Sequence, residues 1–287
     1  MPKVYIVTDS TSDIPQATRE QLGIYMVPLK VHFGSETYLD SVTLQAGEFY
    51  EKLAKADKLP TTSQPSPADF LDVYSRILKE DPDGQIISIH LSAAFSGTYQ
   101  SAEMARNMLE EASGRVKVIN SRTASYGTGM LVVAAAEAAR EGMAMDDIVN
   151  MVEHMRNTNK VYFLVDTLEY LQKGGRIGKA QAVLGSLLNI KPILSIDDEG
   201  VVTSVDKARG TRKAVQRIIE LLRQDYGGQE VDIVLIHSND QAAAEQLAAA
   251  VKENFDVKRE TYATIGPVIG THVGPGTVAV FMGPARK

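Results

Sequence analysis

From residue 3 to residue 140, apolar runs of strand length alternate with segments of helical period, and this alternation constrains the fold more than any other feature. Residues 3–9 (KVYIVTD) are rich in β-branched and aromatic side chains and end in a turn cluster, STSDIP. A helix is expected from Pro15, which the first turn tolerates, to Gly23. Residues 24–33 read as strand, 46–56 as helix and 61–67 (TTSQPSP), with two prolines, as loop. The unit recurs with helix 70–78, turn DPDG, strand 85–91, loop 92–97, helix 98–111, strand 116–120 and an alanine-rich helix 129–140. Parallel strands need long crossovers, and these helices supply them, so a mostly parallel sheet with helices on both faces is expected.

A boundary is expected near residues 157–159, giving an N-terminal α/β domain (1–157) and a C-terminal α/β domain (158–287). In the second, strand 161–166 precedes a glycine loop, 173–178 (KGGRIG), and a strongly apolar helix, 180–188, which is either core or lipid-facing. Residues 192–196 and 201–206 flank DDEG as a hairpin. Helix 211–223, strand 232–237, helix 241–254 and two late strands follow. No run approaches about 18 uninterrupted apolar residues, so no membrane-crossing helix is expected. The amino end lacks the long apolar core of a secretory signal, and a cytoplasmic location is expected. The absence of cysteine excludes disulfides, thiolate metal sites and a cysteine nucleophile. A net charge of −6 suits neither nucleic acid nor an anionic membrane surface.

Ligands of open α/β sheets sit at the carboxyl ends of the strands. Three expected strand ends carry hydroxyl clusters: Thr8, Ser10, Thr11 and Ser12; Ser92, Ser96 and Thr98; and Ser121, Thr123 and Ser125. The loop with Thr61, Thr62 and Ser63 adds a fourth. Each hydroxyl taken alone reads first as a helix cap. Together they suggest one crevice lined by neutral donors, suited to a carboxylate whose oxygens must be satisfied when buried. A sugar or phosphate ester would fit that description too.

Motifs of common enzymes are missing. KGGRIGKA lacks P-loop spacing, and neither G-x-S-x-G nor HExxH occurs. The five histidines are scattered without metal-ligand spacing. His272 lies in GPVIGTHVGPG, where four glycines and two prolines imply a close backbone approach, either a tight crossing between domains or a wall of the crevice. Arg176, in the glycine loop, either neutralises an anionic head group or joins the domains. The basic run Lys207, Arg209, Arg212, Lys213 is a solvated helix face or a docking patch.

VTDSTSDIP, LPTTSQPSP, ISIHLSAAFSGTYQSA, FLVDTLEYLQKGGRIGKAQAVLGSLLNIKPIL and IGPVIGTHVGPG, in this order and spacing, resemble the DegV family over nearly the whole chain. The resemblance implies a two-domain α/β, DegV-like fold with a lipid buried between or within the domains. Family members are bacterial fatty-acid-binding proteins, and some are FakB-like lipid-carrier subunits of a two-component fatty-acid kinase. There a separate ATP-binding subunit converts the bound acyl carboxylate to an acyl phosphate. The implied ligand is a long-chain fatty acid such as palmitate, with no cofactor or metal and with catalysis in the partner. Head-group contacts carry over onto Thr62 and Ser96, then Ser92 and His272, with Arg176 near the head group. Arg176 and Arg209 are expected to face the kinase. The chain departs from many members in carrying Ser92-Ala93 where they have Ser-Ser. Two rival readings stand beside this one. The first is a stand-alone fatty-acid buffer or sensor; the second is a small-molecule enzyme using a loop serine with His90 or His272 as base.

Overall fold

The computed structural model describes residues 2–185 and 190–286. The first elements in chain order are β1 (Val4–Asp9), α1 (Gln16–Leu22), β2 (Tyr25–Val27), β3 (Lys30–Phe33), β4 (Glu36–Leu39), α2 (Ala46–Lys55) and β5 (Thr61–Ser63). They continue with α3 (Pro67–Glu80), β6 (Gln85–His90), α4 (Thr98–Met108), β7 (Val116–Asn120), α5 (Tyr126–Arg140) and α6 (Met145–Thr158). Strands β2, β1, β6 and β7 form a parallel sheet in that order. Successive side chains of a strand leave opposite faces. Ile6 and Ile87 accordingly join the core under α5 and α6, whereas Val7 and Ile86 join the core under α3 and α4. Burial on both faces explains why these strands are continuous apolar runs rather than alternating ones.

Two expectations change here. The run 24–33 is not one strand. Pro28 cannot donate to a ladder, so the chain leaves the parallel sheet after β2 and turns into β3. Nor is 61–67 wholly loop, because β5 pairs with β3 through Lys30↔Ser63 and Val31↔Thr62 in a small antiparallel sheet, β4-β3-β5. Pro67 instead opens α3, which a reciprocal Ser66–Asp69 capping box starts. No element is expected from the sequence over 141–156. Yet α6 buries Met145, Ile148, Val152 and Met155, a helical spacing.

The remaining elements are β8 (Lys160–Leu164), α7 (Glu169–Lys173), β9 (Ile190–Ile196), β10 (Val202–Arg209), α8 (Thr211–Tyr226), β11 (Glu230–His237), α9 (Gln241–Lys252), β12 (Asp256–Thr264), α10 (Pro267–Val273) and β13 (Val278–Pro284). Their six strands form one mixed sheet, β10-β9-β8-β13-β11-β12, antiparallel except for β11 with β12. Tyr162, Leu164, Ile233, Leu235 and Val280 point to a core shared with α8 and α9. Their neighbours Val161, Phe163, Ile236, Ala279 and Phe281 point the other way, into the core shared with α5 and α6.

The expected helix 180–188 is replaced, in its described part, by a single 3-10 segment, Gly178–Val183; residues 186–188 lie outside the described residues. Gly178 (φ 53°) and Gly185 (φ 90°) bracket that segment in left-handed conformations that an α-helix cannot contain. The stretch 266–276 holds the two-turn helix α10, with Pro267 in its first turn. Its Gly270 lies so close to α2 that an added Cβ would sit 2.7 Å from Tyr50 Oη and 2.8 Å from Phe49. Among the described residues, no helix is long and apolar enough to cross a membrane.

Candidate functional site

A cavity of about 410 Å³ lies between the carboxyl ends of the parallel sheet and the inward face of the six-stranded sheet. Period-two alternation of the strands builds its apolar wall: Val161 and Phe163 from β8, Ile236 from β11, Ala279 and Phe281 from β13. Leu91 and Phe95, after β6, and Val268 and Ile269 of α10 close the other side. The volume is in the range of small-molecule sites, and the wall is mostly apolar with a few convergent polar groups, as such sites are.

Those polar groups gather at one end. β5 carries Thr62 to the last turn of α10, where its Oγ1 lies 2.9 Å from His272 Nε2. Ser96 lies in the loop before α4, 2.9 Å from Thr98 Oγ1. Arg176 reaches the same wall from the glycine loop, where Nε donates to Phe95 O at 3.0 Å and Nη1 to Gly174 O at 2.6 Å. Gln64 donates to Ser101 Oγ at 3.2 Å and packs on Gly97, where a side chain would collide with it.

His272 is held neutral. Burial and the nearby Arg176 charge push its pKa down to about 4, and Nδ1 is buried without a hydrogen-bond partner among the described residues. An unfolded chain binds this proton near pH 6.5. The group therefore favours the native state above pH 6.5, and that contribution is lost as pH falls towards 4. Imidazole resonances of His272 in the ligand-free protein should stay those of the neutral ring from pH 7 to pH 5. Titration near pH 6.5 would contradict the buried geometry.

Thr62, Ser96, His272 and Arg176 thus border one cavity. Ser92 and Arg209 do not. Ser92 is fully buried and donates to Gly200 O at 2.9 Å, tying the loop after β6 to the β9–β10 hairpin. Sequence proximity to Ser96 said nothing of this, because the partner lies 108 residues away. Arg209 is exposed at the end of β10, with Arg212 and Lys213 following at the start of α8. The first hydroxyl cluster is also absent from the cavity wall. Thr8 donates to Ile89 O, Ser10 to Asp40, Thr11 to Asp9 and Ser12 to Asp9 O. His90 is buried between Asp9 (2.9 Å) and Ser88 (2.7 Å), away from the cavity. Among the described residues no hydrogen bond joins Ser96 to a histidine.

Ser125 of the third hydroxyl cluster does reach the cavity wall, but the carboxylate behind it has no mark in the sequence. Ser125 lines the cavity but gives its hydroxyl to Asp13, whose other oxygen accepts from Gly266 N at 3.0 Å and so fixes the start of α10. Burial and the neighbouring Asp40 push the Asp13 carboxyl well above the usual range, and burial pushes Asp40 up to about 6. In STSDIP, Asp13 reads as an ordinary turn residue, and no local pattern marks it as a support for a helix 253 residues away.

Fold and cavity define an α/β protein built around an apolar slot with a small polar mouth. The family described as "Uncharacterised protein, DegV family" matches residues 3–285, and the chain belongs to the DegV family. A DegV domain-containing protein of Caldanaerobacter subterraneus subsp. tengcongensis is 39% identical over 284 residues, covering 98% of this chain and 99% of that one. The structure described as "Fatty Acid Binding of a DegV family Protein from Thermus thermophilus" superposes with a TM-score of 0.93 at 38% identity, covering 99% of this chain and 100% of that one. DegV of Bacillus subtilis, described as a fatty acid binding protein, superposes with a TM-score of 0.87 at 36% identity over 99% and 100% of the two chains.

Proposed function

We propose that the protein binds one long-chain fatty acid, its alkyl chain in the apolar slot and its carboxylate at Thr62, Ser96, His272 and Arg176. The observation that carries this reading is the polarity gradient of the cavity, with an apolar sheet face on one side and hydroxyl, imidazole and guanidinium groups gathered at one end. A neutral His272 donating from Nε2 to Thr62 Oγ1 frees the threonine proton for a carboxylate oxygen. Arg176 supplies the compensating charge. Each buried methylene contributes about 0.8 kcal/mol, so about fifteen give roughly 12 kcal/mol before ordering costs. A ligand held that firmly leaves slowly, which suits a carrier that exposes the head and keeps the tail.

Presentation to a separate ATP-dependent kinase, forming an acyl phosphate, is the second half of the reading. Its support is the family resemblance, the polar groups gathered at the mouth, and the exposed Lys207, Arg209, Arg212 and Lys213.

Thr62→Val and Ser96→Ala each remove a hydrogen bond to a charged group, about 1.5–3 kcal/mol, so palmitate affinity should fall roughly 10- to 100-fold in calorimetric titration. Methyl palmitate, lacking the charge, should bind the parent protein much more weakly than palmitate, and the variants should lose that preference. Equal affinity of the parent protein for acid and ester would end the carboxylate assignment. Arg209→Ala should leave lipid affinity intact and slow acyl phosphate formation by the cognate kinase, and unchanged turnover would remove the docking role.

A further inference from the structure

The far end of the cavity has a distinctive construction. On β13 the inward side chains are Ala279 and Phe281. Thr277, just before the strand, donates to Val273 O at 3.1 Å and marks the α10 end, beside His272. Four residues of extended chain separate Thr277 from Phe281, about 13 Å. Phe281 therefore stands at the end of the slot away from the polar mouth. It is buried and pairs with Val161 of β8, which lines the same end.

The Phe281 ring rests on a glycine. A Cβ built on Gly127, in the first turn of α5, would lie 2.5 Å from Phe281 Cε1. Gly127 has no left-handed φ, so the backbone there does not require glycine. The space its missing side chain leaves is occupied by the ring and by Thr123 Oγ1, which a Cβ would meet at 2.6 Å.

Behind the ring is a second, small pocket of about 60 Å³ that shares Phe281, Val161 and Ile196 with the main cavity. Its character is opposite. Arg122, Arg156, Asn159 and Lys160 line it. Arg156 Nε and Asn159 Nδ2 are buried there without a hydrogen-bond partner among the described residues. An alkyl terminus pushed into that pocket would meet buried donors that it cannot satisfy.

We propose that Phe281, seated on Gly127, is the end-stop that sets the longest acyl chain the slot accepts. The stop is steric on the near side, because the ring closes the slot. It is electrostatic on the far side, because the next space is polar. This inference rests on the fatty-acid reading above and adds to it a residue that determines specificity.

The test loads the delipidated full chain from an equimolar mixture of myristate, palmitate, stearate, arachidate and behenate, and quantifies the extracted acids by mass spectrometry. The parent protein should show a sharp upper limit of chain length. Phe281→Leu and Phe281→Ala should move that limit to longer acids, with each added methylene now gaining up to about fourfold in affinity instead of losing it. Gly127→Ala should move the limit the other way, because the new methyl displaces the ring into the slot. Phe281→Leu keeps an apolar side chain in β13 and serves where the alanine variant folds poorly; folding is checked by circular dichroism. Folded variants with the parent's profile would overturn the end-stop and leave the fatty-acid reading standing. A parent protein that takes up none of the acids would overturn the reading itself.

Discussion

Ala279→Phe should abolish fatty-acid retention while leaving the protein folded. Ala279 is buried on β13, faces inward, and is in register with Phe163 of β8. It lines the middle of the slot, between the mouth and Phe281. A phenyl ring introduced there enters open volume rather than a packed core, so the usual penalty for overpacking does not arise. The ring would block the path of the alkyl chain beyond that point. Losing burial of about six methylenes removes roughly 5 kcal/mol, a weakening of more than about 1,000-fold. The melting temperature should hold or rise, because filling a void stabilises. Palmitate affinity within a factor of about three of the parent value would show that the chain lies elsewhere.

The second large effect concerns the scaffold. Asp9→Ala should destabilise the protein by about 3–5 kcal/mol, because several buried donors lose their acceptor at about 1–3 kcal/mol each. Asp9 and His90 are both fully buried, 2.9 Å apart, at the ends of β1 and β6. Asp9 also accepts from Leu91 N at 3.2 Å and from the backbone and hydroxyl of Thr11. The chain of bonds continues from His90 to Ser88 and Tyr74. Alanine leaves an imidazole, two backbone N–H groups and a hydroxyl without their acceptor. The melting temperature should fall by roughly 10 °C, at about 2–4 °C per kcal/mol for a large domain. A fall of less than about 2 °C would mean that these groups find other partners. Asp9 is not on the cavity wall, so lipid affinity of the folded fraction should be unchanged.

How much of this was legible depended on distance along the chain. The parallel sheet was, because strands buried on both faces must be apolar throughout, and KVYIVTD, QIISIHL and VKVIN are largely so. Helix α6 is written in Met145, Ile148, Val152 and Met155, a sparser apolar spacing than that of the alanine-rich α5 before it. The antiparallel order of the second sheet was not legible, since no local pattern says that β13 inserts between β8 and β11. The candidate site shows the same limit. Hydroxyl clusters gave Ser92 and Ser96 equal weight, and only tertiary packing sends one to Gly200 and the other to the cavity. Thr62 and His272 meet across 210 residues; the resemblance to a family offered each as a head-group contact, but nothing in the sequence said that they bond to each other. Phe281 and Gly127 carried no signal at all, being one aromatic in a strand and one glycine at a helix start.

Native mass spectrometry of the gently purified parent protein, before and after denaturation, tests the central claim most directly. The account predicts a mass excess of one long-chain fatty acid per chain, released on unfolding and missing from Ala279→Phe. A parent protein with no such excess, which also fails to gain mass when palmitate is added, would contradict it.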